Sequence, residues 1–78
     1  MPKFFFDFSN GHGETVDREG SEHADLEAAE HEAIDTLVSI ARDASPLRGA
    51  HAMEVRIRDA SGVVLATCRI SLTIEHPR

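Results

Sequence analysis

The stretch DLEAAEHEAIDTLVSIARDASP, residues 25–46, decides the fold. Leu26, Ala29, Ala33, Leu37, Ile40, Ala41 and Ala44 recur at three- and four-residue intervals, which places them on one face of an α-helix. Asp25 stands where a side-chain acceptor caps the first turn, and Glu27 follows where the helix dipole favours negative charge. Pro46 stops the helix, because the residue before a proline is pushed out of helical geometry, and Gly49 lets the chain reverse. Ile34 and Val38 widen the apolar stripe on one flank, so the helix is expected to lie across a sheet rather than in a narrow groove.

Downstream of the helix, the spacing predicts a hairpin. With Asp59-Ala60-Ser61-Gly62 as its loop, Ile57 faces Val64, Val55 faces Ala66 and Met53 faces Cys68, and all six are apolar. The other face then carries Arg58 with Val63, Arg56 with Leu65 and Glu54 with Thr67. A slip of one residue would turn these mixed pairs into the core. Cys68 therefore reads as packing rather than as a reactive thiol. Beyond it Ile70, Leu72 and Ile74 keep the alternation, with Ser71, Thr73 and Glu75 on the opposite parity, while the partner strand runs out near His51 and Gly49. From Ser71 onward the strand is expected to lack a hairpin neighbour. It would then pair with a second copy across a two-fold axis, or with the first strand of its own chain.

Upstream, Lys3 to Ser9 alternates with the two-residue period of a half-buried strand and turns Phe4, Phe6 and Phe8 inward. Gly11-His12-Gly13 makes a tight connection, with Gly13 able to take the left-handed conformation. A second strand from Glu14 to Arg18 sets Val16 opposite Phe8, and Asp17-Arg18-Glu19-Gly20 ends it with turn chemistry. The expected architecture is one α+β domain over residues 1–78 in the order ββαββ: a four-stranded, mainly antiparallel sheet with one helix on one face.

Composition bounds the function. A chain of 78 residues holds one domain, and by size scaling it buries only roughly 60–65% of the surface of its unfolded form. With 41% hydrophobic and 28% charged residues it has enough apolar side chains to fold. Its net charge of −6 opposes a polyanion partner, since affinity for nucleic acid comes largely from Lys and Arg that displace counterions. Between Glu14 and Asp35 the only Lys or Arg is Arg18, whereas Arg42, Arg48, Arg56, Arg58 and Arg69 come later, so one side should be acidic and another mildly basic. The lone Cys68, the short apolar runs and the lack of an export-type leader suggest the reducing cytoplasm and no membrane partner.

The opening Met-Pro-Lys-Phe-Phe-Phe, the Asp17-Arg18-Glu19-Gly20 turn, the helix start Asp25-Leu26-Glu27-Ala28-Ala29 and the hairpin turn Arg58-Asp59-Ala60-Ser61-Gly62 together resemble a family of short bacterial proteins of unknown function. The resemblance runs from the first strand to the last hairpin. Members of that family often carry His at the position of Asp7, an apolar residue at that of His23 and Pro at that of Ala24. The resemblance implies no activity, and no cofactor.

The chemistry-bearing residues point the same way. None of the five histidines sits in a metal motif. Glu27, His31 and Asp35 lie four residues apart on one helical ridge and could offer two or three ligands to a minor metal site, yet that ridge faces away from the apolar stripe, where such residues form ordinary solvated pairs. Glu30 lies near the edge of the stripe and extends its charge to water. No serine has a glycine-flanked elbow and no glycine-rich phosphate loop is present, so the chain is not expected to be an enzyme.

A binding surface remains. Phe5, Val63 and Leu65 are expected on the open sheet face beside Arg56, Arg58 and Arg69, an apolar patch rimmed by forked cations that suits a protein partner. The leading expectation is a non-catalytic interaction or structural adaptor module, acting as a homodimer through Ile70, Leu72 and Ile74. The alternative is a weak binder of an anionic ligand or RNA on the open face, against which the net acidity counts.

Overall fold

The computed structural model describes residues 1–43 and 50–77. They form β1 (Lys3–Ser9), β2 (Glu14–Thr15), β3 (Ser21–Glu22), α1 (Leu26–Asp43), β4 (Ala50–Arg58) and β5 (Val64–Thr73). The α+β class is as expected, with one helix against an antiparallel sheet, but the strands number five rather than four. Their order is β2-β1-β4-β5, with β3 also paired to β1, so β5 is an outer strand.

α1 begins as its sequence dictates. Asp25 Oδ1 accepts the Ala28 N–H at 2.8 Å, which satisfies one of the orphan donors of the first turn, and the Asp25 carbonyl accepts the Ala29 N–H in the first intrahelical bond. Ala29, Ala33 and Leu37 are buried against the sheet. The two alanines let the helix approach β4 and β5 closely, while Ile34 and Val38 stay 50% and 40% exposed. Expectations that rest on Ala44, Pro46 and Gly49 lie outside the described residues.

The core joins Phe4, Val55 and Ile57 to that helical stripe, with Phe6, Phe8, Leu26, Met53, Ala66, Cys68 and Ile70 packed around it. Asn10 Oδ1 collects the N–H groups of His12 and Gly13 in the first turn, and the left-handed residue there is Gly11 rather than Gly13. The second strand is shorter than expected. Thr15, not Val16, stands opposite Phe8, Val16 is 46% exposed, and pairing to β1 resumes only at Ser21, opposite Phe4. The turn from Asp17 to Gly20, which needs a left-handed Gly20 at φ +71°, takes the chain off β1 and puts it back two residues out of step.

The β4–β5 hairpin corrects a second expectation. Ile57 faces Ala66, Val55 faces Cys68 and Met53 faces Ile70, two residues further along β5 than the four-residue loop implied. The cause is Asp59. Its Oδ1 accepts the Ser61 N–H, the Ser61 hydroxyl and the Val63 N–H, and its backbone N–H donates to the Val63 carbonyl. Gly62 in the left-handed region completes a three-residue loop, and an irregularity between Ile57 and Arg58 then leaves Leu65 as an extra residue. Val64 therefore stands opposite Arg58 on the outer face, 51% exposed, and is not a core residue. With this register β5 is paired to its end: Ser71 faces Ala52, Leu72 faces His51 and Thr73 faces Ala50. The strand end expected to lack a hairpin neighbour has one, and β1 pairs with β4 instead of with that extension.

Candidate interaction surface

The outer sheet face is organised by carboxylates. Register sets Phe5 beside Arg58, Asp7 beside Arg56 and Ser9 beside Glu54, all on the side away from α1. Asp7 receives Arg58 in a two-point contact, Nε to Oδ2 at 2.6 Å and Nη2 to Oδ1 at 3.1 Å. The same Nη2 donates to the Asp17 carbonyl at 2.7 Å, and the Asp17 N–H returns to Asp7 Oδ1 at 3.0 Å. The Asp17 carboxylate accepts the N–H groups of Phe6, Glu19 and Gly20. In effect it fills the gap that the broken second strand leaves in the β1 ladder.

These contacts fix the charges. The Arg58 bond holds the Asp7 carboxyl below its usual range against the opposing pull of burial, and Asp7 in turn raises the Arg58 guanidinium. For Asp17 burial is the largest influence and acts upward, but the three backbone donors outweigh it and the carboxyl ends lowered. Phe5 lies half-buried beneath this cluster, the Arg58 guanidinium 4.9 Å from its ring centre and Gly20 against its edge. It is not the open apolar platform expected.

A second cluster centres on Glu54. Arg56 Nε reaches its Oε2 at 2.9 Å and Arg69 Nε its Oε1 at 3.1 Å, so the Glu54 carboxyl is lowered, chiefly by Arg69. Arg56 also approaches Glu14 at 3.7 Å. Arg56, Arg58 and Arg69 thus each already face a carboxylate of this chain. Val63 and Leu65 are exposed with Val64 at the hairpin tip, apart from the cations meant to rim them except Arg58. An open depression of about 210 Å³ between Ser9, Glu54, Arg69 and Ser71 is lined by the same charge cluster.

The free edge of β5 is different. This ten-residue strand pairs with β4 along one side, and among the described residues nothing pairs with the other. Ile70 and Leu72 are half-buried on the helix side, and Ile74, just past the strand, is 37% exposed. Cys68 lies on the same side, its thiol raised by burial and further by the nearby Glu30 carboxylate. Glu30, Ile34 and Val38 follow one another at four-residue spacing along α1. Ile34 and Val38 are the large apolar side chains that α1 leaves exposed.

Glu27, His31 and Asp35 are exposed on α1, and among the described residues no group of three or more His, Cys, Asp or Glu side chains gathers as a metal site would need. No helix among the described residues is long and apolar enough to cross a membrane. Asp7, Asp17 and Glu54, the carboxylates that organise the outer face, escaped the reading of the sequence. Only the Asp17-to-Gly20 spacing signalled one of them, as an Asp side chain poised to accept N–H groups two and three residues on.

The model of a protein family described as a domain of unknown function, DUF6894, matches residues 3–71, the whole span from β1 into β5. The chain belongs to that family, in keeping with the resemblance carried by its opening strand, its helix start and its two turns. No curated protein and no solved structure matches it.

Proposed function

We propose that this DUF6894 domain is a non-catalytic protein-interaction or structural adaptor module that works as a homodimer through the free edge of β5, in the cytoplasm. The observation that supports the reading is the edge itself: a strand of ten residues whose outer backbone groups have no partner among the described residues. An unblocked edge is a template for another strand, and the added burial counts most in a domain this small. The outer face competes poorly as a ligand surface, because its three arginines already hold carboxylates of the same chain.

Sedimentation of the wild-type chain against a variant with Leu72→Asp and Ile74→Asp tests the proposal. Wild type should sediment as a dimer, and the variant as a monomer with unchanged far-UV circular dichroism. A wild-type chain that stays monomeric at the highest attainable concentration would refute the reading.

A further inference from the structure

The segment Arg69-Ile70-Ser71-Leu72-Thr73-Ile74-Glu75 reads nearly the same in both directions: a charge, Ile, a hydroxyl residue, Leu, a hydroxyl residue, Ile, and the opposite charge. We infer that it pairs antiparallel with the same segment of a second copy, about a two-fold axis that passes beside Leu72. The inference rests on the proposal that β5 is the contact and specifies its register.

Parity limits the choices. A two-fold axis perpendicular to the sheet keeps each face on its own side, so the axis must pass beside a residue that pairs with itself. From Val64 to Glu75 the only charged residues are Arg69 and Glu75. An axis at Arg69 would set two guanidinium groups directly opposite each other, which is unfavourable. An axis at Leu72 sets Arg69 opposite Glu75 of the second copy, twice, and pairs Ser71 with Thr73 on the outer face. On the helix side it brings Ile70 to Ile74 around a Leu72–Leu72 contact. Glu75 is exposed and lies just past the point where pairing with β4 ends at Thr73, so the dimer would lengthen β5 to use it.

Single cysteines in a Cys68→Ala background test the register under mild oxidation, with Ser71→Cys and Thr73→Cys both at exposed positions. Mixed Ser71→Cys and Thr73→Cys chains should crosslink to each other, and neither alone should, since diagonal neighbours stand about 7–8 Å apart, too far for a disulfide. Glu75→Arg should raise the dimer dissociation constant at least about fourfold through two like-charge pairs, and adding Arg69→Glu should restore it. If wild type is dimeric but Ser71→Cys or Thr73→Cys links to itself, or Glu75→Arg has no effect, the axis is wrong while the edge contact stands. A dimer that yields no crosslink in any mixture would overturn both, and a monomeric wild type would remove self-association altogether.

Discussion

Replacing Asp17 with Ala removes one side chain and strands three donors. The Phe6 N–H, 3.1 Å from Oδ2, is half-buried in β1 at the gap between β2 and β3, where no backbone acceptor replaces the carboxylate. An orphaned group of this kind costs about 1–3 kcal/mol. The N–H groups of Glu19 and Gly20 belong to a more open turn and can bind water instead, a net loss of about 0.5–1.5 kcal/mol each. Since such terms are not strictly additive, the total should be about 2–4 kcal/mol, a large share of the roughly 5–15 kcal/mol of a typical domain. Asp17→Asn keeps one oxygen acceptor and should fall between. Urea unfolding followed by circular dichroism reads the cost, and amide hydrogen exchange locates it, with Phe6 losing protection relative to the rest of β1. An Asp17→Ala chain within about 0.5 kcal/mol of wild type, or a Phe6 amide as protected as before, would refute the role of Asp17 as the substitute rung of the ladder.

Asp7 and Asp17 are both held below the ordinary carboxyl range, so their stabilisation is fully present above the unfolded value of about 3.9 and is lost as pH falls through the lower folded values. An acid titration should show this, and Asp7→Asn should flatten it. Gly20→Ala should cost about 2–4 kcal/mol, combining a left-handed φ with a Cβ only 2.8 Å from the Phe5 ring, whereas Gly62→Ala, equally left-handed but in open space, should cost about 1–2 kcal/mol by chemical denaturation. Leu37→Ala should cost about 2–5 kcal/mol and His31→Ala almost nothing, because one is buried and the other is exposed on the same helix. Calorimetry with Zn²⁺ should find no stoichiometric submicromolar site that depends on His31; finding one would restore the ridge of Glu27, His31 and Asp35 as a metal centre.

The features legible in the sequence are those set by near neighbours. The Asp25 cap and the buried Ala29, Ala33 and Leu37 follow from spacing within one helix, and the inward Phe4, Phe6 and Phe8 from alternation within one strand. Alternation fixes parity but not register. The hairpin slid two residues because Asp59 gathers the turn into a loop one residue shorter and Leu65 is an extra residue just beyond it, changes that leave Met53, Val55 and Ile57 facing inward just the same. The outer face depends on strand order. Asp7 and Arg58 are 51 residues apart and meet only because β1 lies against β4, so a patch drawn from the hairpin alone took Arg58 for a free cation. The identity of the edge strand was hidden for the same reason.

That order also decides which surface has something to gain from a partner. An anionic ligand on the outer face would meet arginines whose charge Asp7 and Glu54 already balance, on a chain of net charge −6. The β5 edge gives up only solvent. Strand pairing there exchanges water for backbone partners and covers Ile74, exposed just past the strand. Proteins that must avoid such pairing blunt their edges with Lys, Pro, bulges or brevity. β5 has its irregularity at Leu65 and a proline only at Pro77, and from Ala66 to Glu75 there is no Pro, Gly or Lys. The edge is guarded at its two ends and left open between them, over the length that an antiparallel contact centred on Leu72 would occupy.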